Sequence, residues 1–121
     1  MKKTILLLGV ICLTATSCKK EKFIGRQSFW YGEDVAQALV DDDVEKLTLY
    51  VDGAVVGTIG SDSYYTAKPE CKEGLFVYED KMYRKEVATH NYKIVDEYGD
   101  TQWEGSFTTK ESLCSDIELT N

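Results

Sequence analysis

Few side chains in this sequence are equipped for chemistry: four cysteines, one histidine and 21 carboxylates spread over 121 residues. No Gly-x-Ser-x-Gly elbow, no His-Glu-x-x-His pair and no glycine-rich phosphate loop is present. Two carboxylates of divergent pKa can hydrolyse a glycosidic bond. Candidates for such a pair are Asp41, Asp42, Asp43, Glu79, Asp80, Asp96 and Glu97, too many for any one pair to stand out. The run Asp41-Asp42-Asp43 with Glu45 offers hard oxygens for calcium. No glycine shapes a loop there, so a solvated turn between a helix and a strand is the better reading. Cys71, Cys114 and His90 give no ligand spacing for zinc. His90 itself is expected at a strand edge rather than as a general base. The expectation is a protein that is not an enzyme and takes no metal and no cofactor.

Two further cysteines, Cys12 and Cys18, lie in the amino-terminal segment. Met1-Lys2-Lys3 precedes the apolar run Ile5 to Leu13, and Thr14 to Ser17 are small and polar. This is the order of a secretory signal peptide. The apolar run is too short to cross about 30 Å of hydrocarbon as a helix. The tetrad Ala15-Thr16-Ser17-Cys18 resembles the lipobox of bacterial lipoproteins, with Ala15 where leucine is usual. Ile11 makes Cys12 the poorer fit. The resemblance implies diacylglyceryl transfer to the Cys18 sulfur, cleavage before it and acylation of the new amino terminus. Two or more chains, at about 0.8 kcal/mol per buried methylene, would make the anchor effectively permanent. The expected partner is therefore the lipid bilayer through acylated Cys18. The expected location is the bacterial cell envelope, at the outer membrane, on either its periplasmic or its surface-exposed face.

Boundaries follow from that reading: residues 1–17 as signal peptide, 18–25 as lipidated tether and 26–121 as one domain. Removing 17 of 121 residues leaves 104, enough for one small core. Twelve basic residues then face 21 acidic ones, a net charge of −9, which disfavours nucleic acid and anionic headgroups as partners, with the basic cluster beside Cys18 as the local exception. Lys19, Lys20 and Lys22 read as a solvated tether. Cys71 and Cys114 remain as an even pair in an exported chain, which points to a disulfide joining the loop before Leu75 to the closing strand.

The elements that carry these residues are mostly of period two. Leu47 to Val51 alternates, Asp52-Gly53 interrupts, and Ala54 to Ile59 resumes, the pattern of a hairpin on a type I′ turn. A two-residue turn would set Val51 opposite Ala54 and Leu49 opposite Val56. Asn91 to Glu97 and Thr101 to Phe107, joined by Tyr98-Gly99-Asp100, make a second hairpin with Trp103 and Phe107 on one face. Arg26 to Tyr31 reads as a first strand and Leu75 to Tyr78 as a middle one. Leu113, Ile117 and Leu119 share the parity of a last strand. Glu33 to Leu39 has helical spacing. One short helix among about seven strands predicts an all-β fold, an immunoglobulin-like antiparallel β-sandwich.

The stretch Leu47 to Ile59, "LTLYVDGAVVGTI", resembles the β-sandwich modules called PEGA domains and, more broadly, carboxypeptidase regulatory-like domains. Where those families place a proline-rich turn, this chain has Ser61-Asp62-Ser63-Tyr64-Tyr65. The resemblance implies binding or spacing roles and supplies no catalytic residues. The whole chain is also similar to small cell-envelope lipoproteins.

Aromatic residues raise one idea about ligands. Phe29-Trp30-Tyr31 and Tyr64-Tyr65 could present Trp30, Tyr64 and Tyr65 to a sugar ring or a protein partner. Alternation along a strand sends at least half of each group inward. Two roles are in view: an anchored sandwich that binds or scaffolds, or an inhibitor or immunity-like lipoprotein that plugs an envelope enzyme with the loop carrying Lys68-Pro69-Glu70-Cys71.

Overall fold

The computed structural model describes residues 22–121. Seven strands and one α-helix follow in the order β1 (Lys22–Trp30), α1 (Glu33–Asp41), β2 (Lys46–Val51), β3 (Ala54–Gly60), β4 (Phe76–Tyr83), β5 (Val87–Asp96), β6 (Thr101–Lys110) and β7 (Cys114–Glu118). A 3-10 turn covers Cys71–Glu73. The strands form an all-β sandwich of two sheets, β4-β1-β7 and β3-β2-β5-β6. All pairs are antiparallel except β1 with β7, which run parallel from Arg26 opposite Cys114 to Trp30 opposite Glu118. The first strand is thus the centre of its sheet, and the last strand completes it from a distance in sequence.

Alternation decides what each sheet turns inward. Leu47, Leu49 and Val51 of β2 are buried, as are Phe29, Phe76, Ile94 and Phe107. Phe29 meets Tyr92 at 4.9 Å and Phe107 at 5.8 Å between ring centroids, while Tyr31 stacks on Trp103 at 6.0 Å. These offset and edge-on contacts are the arrangements that the ring quadrupole prefers. Helix α1 lays Val35, Ala36 and Leu39 on the same core. The two sheets converge where β1 passes β6. A Cβ on Gly25 would stand 2.6 Å from the Lys110 carbonyl oxygen, so this crossing requires a residue without a side chain.

The acidic run after α1 is a helix terminator. Asp43 takes φ 60°, its N–H reaches the Val40 carbonyl at 3.0 Å, and the Val44 N–H reaches the Leu39 carbonyl at 2.9 Å. This is a Schellman end, with Val44 and Leu39 supplying its hydrophobic contact in the core. The hairpin turn at Asp52 (φ 51°) and Gly53 (φ 84°) has both central residues left-handed, as a type I′ turn requires. Its register corrects the expected pairing. Val51 does face Ala54, but the register shifts between Leu49 and Tyr50, so Leu49 pairs with Gly57 and Val56 is the extra residue of a bulge. Leu113 is also corrected. It precedes β7, follows Ser112 at φ 56°, and is exposed, whereas Leu119 is buried. Parity ceases to carry information once the chain leaves the strand.

Cys71 and Cys114 form a disulfide with their Cα atoms 6.0 Å apart. It pins the segment between β3 and β4 to the first residue of β7. That segment also bonds through the Tyr65 N–H to the Tyr31 carbonyl (3.1 Å), and Lys68 pairs with Asp116 at 3.3 Å. It therefore lies along the sandwich instead of projecting from it.

Candidate functional site

Of the residues singled out from sequence, Cys18 lies outside the described residues. Cys71 and Cys114 are joined as expected. The aromatic trio is divided. Trp30 is 9% exposed, and its indole Nε1 is buried with no hydrogen-bond partner among the described residues. Its neighbours Phe29 and Tyr31 are core residues, and burial, with Asp62 nearby, pushes the Tyr31 hydroxyl up to about 12. Trp30 and Tyr65 share a groove of about 530 Å³ with Gly32, Glu33 and Thr120. Tyr64, 41% exposed, lies in a separate depression beside α1 and donates its hydroxyl to Glu33 at 2.9 Å. The structure does not bring the three together as one stacking platform. A shallower groove of about 800 Å³ is lined by Tyr50, Asn91, Lys93, Val95 and Glu104. Among the described residues, no three His, Cys, Asp or Glu side chains are grouped so as to hold a metal ion.

The most concentrated polar chemistry is a cluster around His90. His90 sits in β5 opposite Phe107, with a side chain only 12% exposed, so it is not the strand-edge residue expected. Its Nδ1 lies 2.6 Å from Asp52 Oδ2, in the β2–β3 turn, and its Nε2 lies 2.7 Å from Asp80 Oδ2, on β4 of the other sheet. Thr109 of β6 donates its hydroxyl to the same Asp80 oxygen at 3.0 Å, and Asp52 accepts the Asn91 N–H at 2.9 Å through its other oxygen. The rings of Tyr78 and Phe107 stand 5.1 and 5.4 Å from the imidazole. His90 thus ties the two sheets together through Asp80, and anchors the β2–β3 turn of its own sheet through Asp52.

The electrostatics follow from those contacts. Desolvation opposes charge on His90, but the hydrogen bonds to Asp52 and Asp80 outweigh it, and its pKa is raised above the ordinary value. The bond to His90, and then that from the Asn91 N–H, lower the Asp52 carboxyl in turn. With both nitrogens directed at carboxylates, the favoured ring is an imidazolium donating twice. Such a ring has no lone pair to take a substrate proton or bind a metal. Thr109 bonds to the carboxylate instead of the imidazole, so the constellation lacks the nucleophile-to-base contact of a triad. The cluster is a latch between sheets.

Sequence signals for this latch exist. His90 shares the parity of Tyr92, Ile94 and Asp96, and Asp80 that of Phe76 and Tyr78, so alternation sends both acid and base inward. That Asp80 meets His90 depends on how the sheets stack. Asp96, 8% exposed, is the more deeply buried carboxylate. Desolvation opposes its charge, yet Gln102 and the N–H groups of Asp100 and Tyr98 lower its pKa, and it organises the β5–β6 turn. Comparison of the chain with protein-family models, with curated proteins and with solved structures returned no match.

Proposed function

We propose that this protein is a lipid-anchored component of the bacterial cell envelope whose β-sandwich binds or scaffolds and performs no catalysis. The observation that carries the reading is the Cys71–Cys114 bridge in a chain that opens with a signal-like segment. Disulfides persist in oxidising compartments, and the pairing leaves Cys18 as the thiol next to the small-residue cleavage motif. The resemblance of Leu47 to Ile59 to PEGA-like modules supports a binding or spacing role. So does the commitment of the single histidine to two carboxylates.

The inhibitor-like alternative draws on exposed Lys68 and Glu70 in the disulfide-pinned segment. The Lys68–Asp116 pair and the Tyr65–Tyr31 bond hold that segment down, which favours the first reading over a plug. Metabolic labelling with a clickable fatty acid tests the anchor. Label on the parent and none on Cys18→Ala supports it, and label that survives the substitution refutes it.

A further inference from the structure

The sandwich is electrically polar along its length. At the end where β1 starts, Lys22 pairs with Tyr83 at the end of β4, and Val87 at the start of β5 pairs with Lys110 at the end of β6. Leu113 joins them, its N–H on the Lys110 carbonyl at 3.3 Å and its carbonyl accepting the Arg26 N–H at 2.8 Å. Topology thereby gathers Lys22, Lys81, Arg84, Lys85 and Lys110 at one tip. All five are exposed. Glu86 is turned back onto the Tyr83 N–H at 3.1 Å, and Glu111 is half-buried. Among the cations stand Tyr83, Val87 and Leu113, which are 43%, 57% and 54% exposed. The opposite tip carries Glu33, Asp34, the Asp41 to Asp43 run, Glu45, Asp62, Glu97 and Asp100, with Lys46 the cation nearest them in sequence.

We infer that the Lys22 end of the sandwich rests on an anionic lipid surface, with Lys81, Arg84, Lys85 and Lys110 on headgroups and Tyr83, Val87 and Leu113 at the interface. The inference extends the lipid-anchor reading. Cys18 is four residues from Lys22, so even a fully extended tether holds the acylation site within about 14 Å of this tip. Tyrosine is favoured at the headgroup level, and lysine and arginine reach headgroups while their stems cover apolar surface. The acidic tip does not cancel the attraction. Ten residues of β5 span roughly 30 Å, about three screening lengths at 0.1 M salt.

The test uses the chain from residue 18 with Cys18→Ser, so that it carries no acyl group and fails independently of the anchor assignment. Both sheets, the core and the disulfide lie within residues 22–121, which makes this a complete folded unit. Sedimentation with phosphatidylglycerol-containing vesicles is compared with pure phosphatidylcholine vesicles in about 0.1 M salt. Binding should be at least about a hundredfold stronger to the anionic vesicles. Each cation neutralised should weaken it roughly fivefold, so Arg84→Gln with Lys85→Asn should lose about 25-fold. Lys46→Gln, from the acidic half, should change it less than about twofold. Equal binding to both vesicles, or a double variant that binds like its parent while retaining its far-ultraviolet spectrum, overturns the inference.

Discussion

Replacing Asp80 with asparagine tests the latch most directly, because it keeps the shape of the side chain and an oxygen for Thr109 while removing the charge that His90 meets. His90 Nε2 lies 2.7 Å from Asp80 Oδ2 in a site where both side chains are largely enclosed. A hydrogen bond to a charged group contributes about 1.5 to 3 kcal/mol. Asp52, on the other nitrogen, is half-exposed, and water replaces much of what it gives. The energetic weight thus falls on Asp80. We expect Asp80→Asn to lose about 2 kcal/mol at pH 6, lowering Tm by roughly 8 to 16 °C in a domain of this size. The raised pKa of His90 sets the pH dependence. The folded state holds the proton more tightly than the unfolded chain, so the stabilisation is fully present below the ordinary histidine value and is lost as pH rises through the folded pKa. His90 is the chain's single histidine, which makes a decline in stability that sets in near the ordinary histidine value of about 6.5 and continues to higher pH its signature. Urea denaturation of the oxidised protein at several pH values would measure it. If His90→Gln declines as steeply as the parent, or Asp80→Asn loses less than about 0.5 kcal/mol, the latch does not carry this load.

Acid should weaken the same site. The lowered Asp52 pKa contributes stability that is present above its unfolded value and lost as pH falls through the folded one, so Asp52→Asn should flatten the acid limb of the stability profile. Breaking the disulfide with Cys71→Ala and Cys114→Ala reopens a loop spanning 43 residues, and loop-closure entropy sets the loss at about 4 kcal/mol. Denaturation with and without reductant should agree with the double variant. Phe107→Ala should cost about 3 to 5 kcal/mol, since the ring is buried against Phe29, Tyr78 and Tyr92. Trp103→Ala should cost less, because the half-buried indole spends its N–H on the exposed Thr120 carbonyl at 2.8 Å. Gly25→Ala should destabilise by about 1 to 3 kcal/mol, because its methyl would enter the backbone of Lys110. A Gly25→Ala protein as stable as its parent would mean the sheets can part there.

Local patterning by itself determined the number of strands, the Asp52-Gly53 turn, the inward faces of β2 and β6 and the single helix. These depend on residues within a few positions of one another, where sterics and the two-residue repeat leave few choices. The signal-like segment and the even number of remaining cysteines likewise pointed to one bridge between Cys71 and Cys114. Patterning failed where the chain departs from a regular repeat, at the bulge beside Val56 and at Leu113 beyond the end of its strand. The sheet order, the parallel pairing of β1 with β7, the meeting of Asp80 with His90 across the sandwich and the gathering of basic residues at one tip came only with the tertiary structure. Each joins residues far apart in sequence, and their contact is set by how two twisted sheets stack around a shared core, a collective choice that no short stretch of the chain encodes alone.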